Sequence, residues 1–142
     1  MTQVDFYILQ NKRAGQRDRT LCQLVQKIHG LGHQVRILAE GPTDARQLND
    51  LLWTFNPNSF IPHEIDDGSR ECSAPIRIVL PNQDDPITDV LINLRPHIPQ
   101  HTDRHQRIVE IIDGDDARRQ AGRERYRQYQ TLGLKIETHP LK

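Results

Sequence analysis

The chain is short of almost everything that would mark a catalyst. It has two cysteines, Cys22 and Cys72, one tryptophan and one methionine in 142 residues, and aromatic residues make up 5%. The cysteines form no Cys-x-x-Cys pair, so neither a disulfide framework nor a clustered metal site is expected, and a reducing compartment fits. No charge excess exists either: 19 basic residues balance 19 acidic ones. A protein with no net field is not held on DNA or an anionic membrane by its overall charge, so any anion recognition must be local. No apolar run approaches ~18 residues and no basic-then-apolar leader opens the chain, which predicts a cytoplasmic protein without a membrane span. There is no Gly-x-Gly-x-x-Gly, no P-loop and no Gly-x-Ser-x-Gly. The loop after the first strand offers Gly15 as its one glycine, too few for the backbone to approach a pyrophosphate. No catalytic residues, cofactor or metal are expected.

What is present is periodic. Mean hydropathy is low, at −0.71, but the apolar residues come in blocks with clear spacing, which argues against disorder. Val4 to Leu9 reads as a buried strand and the polar stretch Gln10 to Arg17 as a loop. Leu21, Leu24, Val25, Ile28 and Leu31 then recur at helical spacing, with Asp18 or Thr20 available as cap. Gln34 to Ala39 is a second strand. After Gly41-Pro42, Thr43 opens a helix carrying Ala45, Leu48, Leu51, Leu52 and Phe55, stopped by Asn56-Pro57-Asn58. Ser59 to His63 reads as a short extended piece and Glu64 to Ser73 as a polar loop. Pro75 to Leu80, Asp89 to Leu94 and Arg107 to Ile112 are further strands, and Lys135 to Thr138 is the last. Strands alternating with helices predict one α/β domain over residues 1–142, a Rossmann-like three-layer fold with a mostly parallel sheet and no nucleotide-binding loop.

Four polar clusters could carry chemistry. His101 and His105, four apart, could share a metal on a helix, but Pro96 and Pro99 favour an irregular loop. Asp66-Asp67 falls in a loop, and Asp113 to Asp116 sits where a helix needs its cap. The fourth cluster is the most informative: Arg118 to Tyr129 concentrates arginine and tyrosine on one helix. At 100° per residue, Arg119, Arg123, Tyr126 and Gln130 fall near one line with Arg127 at its edge, while Ala117, Ala121, Gln128 and Leu132 lie opposite and are expected to pack. Planar guanidinium forks beside an amphipathic ring suit a carboxylate or phosphate attached to something apolar. The competing reading is a solvated helix whose arginines only confer solubility. Trp53 lies about 100° from the side of Leu52 and is expected to stand partly exposed, near Phe60 and His63. If the arginine helix packs beside these rings, the combined surface would suit a peptide ending in an aromatic residue and a free carboxylate.

Taken together, Phe6-Tyr7-Ile8-Leu9, Leu52-Trp53 with Ser59-Phe60-Ile61-Pro62-His63, Ala74-Pro75-Ile76, Asp89 to Arg95, and Arg123-Glu124-Arg125-Tyr126-Arg127-Gln128-Tyr129 resemble, in order, the chi subunit of bacterial DNA polymerase III holoenzyme. The resemblance covers nearly the whole chain. It implies a non-enzymatic accessory subunit of the clamp loader in DNA replication. Such a subunit bridges the psi subunit to the acidic C-terminal tail of single-stranded DNA-binding protein, which ends in proline and phenylalanine, and contacts DNA only indirectly. It further implies Arg123 as the principal basic contact for that tail, with Tyr126 and Arg127 beside it and Arg119 where the family has a lysine. Trp53 and Phe60, with His63, would then form the apolar receptor for the last ring. Gly122 and Gln128 depart from the small alanine-like residues usual in this helix, and the glycine is expected to cost up to ~1 kcal/mol of helix stability. The alternative reading is a module that binds single-stranded nucleic acid directly, with arginines on phosphates and Trp53 stacked on a base.

Overall fold

The computed structural model describes residues 2–10, 15–56, 60–81 and 89–141. Its strands are β1 (Gln3–Leu9), β2 (Val35–Leu38), β3 (His63–Asp66), β4 (Ile76–Val79), β5 (Val90–Asn93), β6 (Arg107–Ile112) and β7 (Lys135–Leu141). The helices are α1 (Gln16–Gly30), α2 (Pro42–Thr54) and α3 (Asp116–Thr131). The strands form one sheet in the order β3-β4-β2-β5-β6-β1-β7. Every ladder is parallel, so connections must cross the sheet faces and helices cover both sides.

Strand alternation divides the core in two. Val35 and Ile37 of β2, Ile76 and Ile78 of β4, and Val109 and Ile111 of β6 pack with Leu21, Cys22 and Val25 of α1 and Ala45, Leu48 and Leu52 of α2. On the reverse face, Val4 and Phe6 of β1 and Ile108 and Ile112 of β6 pack with Tyr129 and Tyr126 of α3. This is the expected three-layer arrangement, with α1 and α2 on one face and α3 on the other. Burial pushes the Cys22 thiol up to about 12, so it behaves as a small core hydrophobe.

Several local expectations are corrected. The stretch read as a polar loop from Glu64 holds most of β3, an edge strand paired to β4 alone, whose first residue His63 ends the expected extended piece. Its polar residues follow from that position, because one side of an edge strand meets water. Glu64 anchors the connection that follows by accepting from the Ser73 and Ala74 amides at 2.9 and 3.1 Å and from Arg70 at 3.1 Å. Helix α1 begins at Gln16 behind Gly15, whose φ of 77° is left-handed, rather than at Asp18 or Thr20. Helix α2 begins at Pro42 behind Gly41, proline being suited to a first helical turn. In line with the irregular loop that Pro96 and Pro99 favour, His101 and His105 flank a single 3-10 turn, Thr102–Arg104, and do not share a helix face. The expected features at Asn11 to Ala14 and Pro57 to Ser59 lie outside the described residues. Among the described residues, no helix is long and apolar enough to cross a membrane.

Candidate functional site

Helix α3 is fixed at its start by acids and beneath its middle by a buried ion pair. Asp115 is the N-cap and accepts from the Arg118 amide at 2.9 Å. Asp113 accepts from Arg118 Nε at 3.0 Å and Nη2 at 2.7 Å, a bidentate fork, so the acidic run caps the helix as its position suggests. Burial raises the Asp113 carboxyl, but the Arg118 fork and the Asp115 amide outweigh it and hold the group below the usual carboxylate range. Deeper in, Glu110 of β6 is fully buried. It receives Arg125 Nε at 3.1 Å, the Tyr129 hydroxyl at 2.7 Å and Asn93 Nδ2 at 3.0 Å. Arg125 also donates to the Pro96 carbonyl at 3.2 Å.

This network overturns the expected packing face of α3. Gly122, Arg125 and Tyr129 are the residues that turn inward, while Ala117, Gln128 and Leu132 are exposed. An arginine and a tyrosine look like surface residues by type, and only the buried acid opposite them makes the inward orientation favourable.

With that face down, the residues expected on one line do come together. Arg119, Arg123, Tyr126, Arg127 and Gln130 edge a cavity of about 380 Å³ whose floor is Phe6 and Ile8 of β1, Ile112 of β6 and Gly122. The Phe6 ring lies 5.3 Å from that of Tyr126 and 5.9 Å from that of Tyr129, the second contact edge-to-face. The floor is thus hydrocarbon held by aromatic contacts, and the rim is cationic. The arginines are not equivalent. Arg119 is tied down, Nε donating to the Asp113 carbonyl and Nη2 to the Leu9 carbonyl, both at 3.0 Å. Arg127 makes a loose, exposed pair with Glu124 at 3.4 Å. Arg123 is exposed and, among the described residues, its guanidinium makes no hydrogen bond or ion pair, so its fork is available to a ligand.

Trp53, Phe60 and His63 also cluster, but elsewhere. Trp53 lies 5.3 Å from Phe60 and 4.8 Å from His63 between ring centroids. Trp53 is 52% and Phe60 67% exposed, as the wheel position of Trp53 led us to expect. His63 is buried, with Nδ1 2.7 Å from the Ile61 carbonyl and Nε2 3.2 Å from the Asn49 carbonyl, and so joins β3 to α2. This group belongs to the face carrying α2 and to the β3 edge, whereas α3 covers the reverse face beside β6, β1 and β7. The expected pocket joining indole and phenyl rings to the arginines therefore does not form. The side of the sheet on which a crossover helix packs is a tertiary choice, and local periodicity does not encode it.

Sequence reasoning also missed the true apolar partners of the arginines. Phe6 and Ile8 were legible as strand residues, and their alternation places them on one face, but nothing local ties that face to α3. A further cluster, Asp5, Glu137 and His139, meets across β1 and β7, with their ligand atoms mutually within 4.8 Å. His139 Nε2 is 3.1 Å from Asp5 Oδ1, and Arg107 Nη1 is 3.0 Å from Asp5 Oδ2. Arg107 already neutralises the buried carboxylate, which makes a cation there unfavourable.

Comparison with known proteins gives a consistent result. The family model for "DNA polymerase III chi subunit, HolC" matches residues 1–137. The DNA polymerase III subunit chi of Pseudomonas aeruginosa is 30% identical over 141 residues, covering 99% of this chain and 98% of that one. That of Haemophilus influenzae is 31% identical over 134 residues, covering 94% and 93%, and that of Escherichia coli is 26% identical over 143 residues, covering 97% of each. Among solved structures, the crystal structure of T4 UvsW is similar with a TM-score of 0.66 at 10% identity, over 99% of this chain and 41% of that one. That likeness is one of fold alone.

Proposed function

The chain belongs to the DNA polymerase III chi subunit family, and on that premise we propose that it is a non-catalytic bridge in the replication complex, with a separate surface for each of two partners. The pocket on α3 takes the acidic C-terminal tail of single-stranded DNA-binding protein. Arg123 pairs with the terminal carboxylate, the last ring enters between Phe6, Ile8, Ile112 and Tyr126, and Arg119 and Arg127 attract the acidic residues upstream. The observation that carries this reading is the conjunction, in one cavity, of an apolar floor with an exposed Arg123 whose guanidinium has no partner among the described residues. A phosphate backbone needs cations without a hydrocarbon floor; a carboxylate attached to a ring needs both. The exposed Trp53–Phe60 pair on the opposite face is left to the second partner, the psi subunit, since aromatic residues are typical anchors at protein interfaces. A bridge that holds two proteins at once requires this separation.

Burying a phenyl ring contributes ~1.5–3 kcal/mol and a desolvated charge-assisted hydrogen bond ~1.5–3 kcal/mol, before the cost of association is subtracted. The outcome is weak binding to an isolated tail, on the order of micromolar, reduced by salt because the outer arginines are screened. Several tails on one coated DNA strand then raise the effective concentration. Calorimetric titration with an acidic peptide ending in Pro-Phe tests the assignment. Arg123→Ala lowers affinity by at least about tenfold with the melting temperature unchanged, and undiminished binding would falsify the site. A labelled oligonucleotide titrated alone is the control: tight binding to it favours a direct nucleic-acid module instead.

A further inference from the structure

Resting on the reading of the α3 pocket as a receptor for a carboxylate-terminated ring, we propose that Gly122 sets the depth of that pocket and so selects a bulky planar terminal side chain over a small one. Gly122 is buried in the middle of a helix of 16 residues, where α3 packs over Ile112 of β6. A Cβ at this position would stand 2.7 Å from Ile112 Cδ1 and 3.3 Å from its Cγ1, closer than carbon atoms pack. Its next neighbour, 3.7 Å away, is Arg125 Nη2.

The consequence depends on what can give way. Arg125 is locked by Glu110 and the Pro96 carbonyl, and Phe6 is held by the rings of Tyr126 and Tyr129. The Ile112 side chain is the compliant element. It lines the arginine-rimmed pocket on one side, and on the other a smaller cavity of about 200 Å³ that Arg125 and Arg118 help to close. Gly122 lines the arginine-rimmed pocket and not the smaller one, so a methyl group at position 122 and the Ile112 terminus it displaces together raise the floor of that pocket. The rim is untouched, because Arg119 is tied to the Leu9 and Asp113 carbonyls and Arg123 projects outward. A ring that must reach Phe6 for an edge-to-face contact loses its place, while a terminal alanine, which never reaches the floor, is indifferent.

The experiment titrates wild type, Gly122→Ala, Arg123→Ala and the double variant Gly122→Ala/Ile112→Val with two acidic peptides that differ only in ending in phenylalanine or alanine. Gly122→Ala weakens the phenylalanine peptide about tenfold and leaves the alanine peptide within about twofold, a discrimination of the size a shape change in an apolar pocket supplies. Ile112→Val removes the methyl that stands at 2.7 Å, so the double variant recovers the phenylalanine peptide. Circular dichroism verifies that each variant is folded. If Arg123→Ala abolishes binding while Gly122→Ala weakens both peptides alike or neither, the depth inference is wrong and the receptor reading stands. If Arg123→Ala binds the phenylalanine peptide as wild type does, the receptor reading fails and the inference falls with it.

Discussion

Replacing Arg125 with methionine should show that the site is built on a buried ion pair. Glu110 has no solvent exposure, and its carboxylate is matched by one cation, Arg125 at 3.1 Å, with Tyr129 and Asn93 as neutral donors. Burial raises the Glu110 carboxyl above its ordinary range, and the charge of Arg125 opposes that rise. Methionine fills much of the arginine's volume but leaves the acid without a countercharge, a change that costs ~3–5 kcal/mol at neutral pH. For a domain of this size, that loss lowers the melting temperature by about 10–20 °C. The pH dependence gives a sharper signature. In the variant the folded-state pKa of Glu110 rises further above its unfolded value, so the loss is largest above the folded value and shrinks as pH falls toward the unfolded value near ~4.3. Melting curves from pH 7 to pH 5 should therefore converge on wild type, and adding Glu110→Gln should restore roughly half of the loss or more. A loss under about 1 kcal/mol, the value of a surface pair, or one independent of pH, would refute the buried-pair account.

Other consequences follow from individual contacts. Glu124 competes for Arg127 at the pocket edge, so Glu124→Gln should tighten tail-peptide binding by about two- to threefold at low salt, and titration at high salt should erase the gain. The depressed Asp113 carboxyl contributes stability that is present above its unfolded pKa and lost as pH falls through its lower folded value. Asp113→Asn should remove that acid limb, read as a flatter melting-temperature profile below about pH 4. Trp53→Ala with Phe60→Ala should abolish capture of the psi subunit in a pull-down yet leave the melting temperature within a few degrees, since both rings are exposed.

Much of this architecture is legible in the sequence. The strand Arg107–Ile112 has the same bounds in both readings, and the parallel order follows from strands alternating with helices. Elements with a mixed pattern fail. Most of β3 reads as loop because Glu64 and Asp66 are polar, a composition an edge strand tolerates. The line of Arg119, Arg123, Tyr126, Arg127 and Gln130 is correct because it rests on helical geometry alone. Its opposite face is wrong because hydropathy cannot see that Arg125 and Tyr129 meet a buried acid. The supposed union of Trp53 and Phe60 with the arginines fails for a third reason. Each crossover helix takes one face of the sheet, and sequence proximity to a strand says little about which.

The most direct measurement is an amide and indole chemical-shift map of isotope-labelled protein titrated with the acidic Pro-Phe peptide. The Gly122 amide and its neighbours Arg123 and Tyr126 should shift progressively to saturation. The indole signal of Trp53, single because the chain has one tryptophan, should stay in place. Movement of that indole with α3 unchanged would contradict the account.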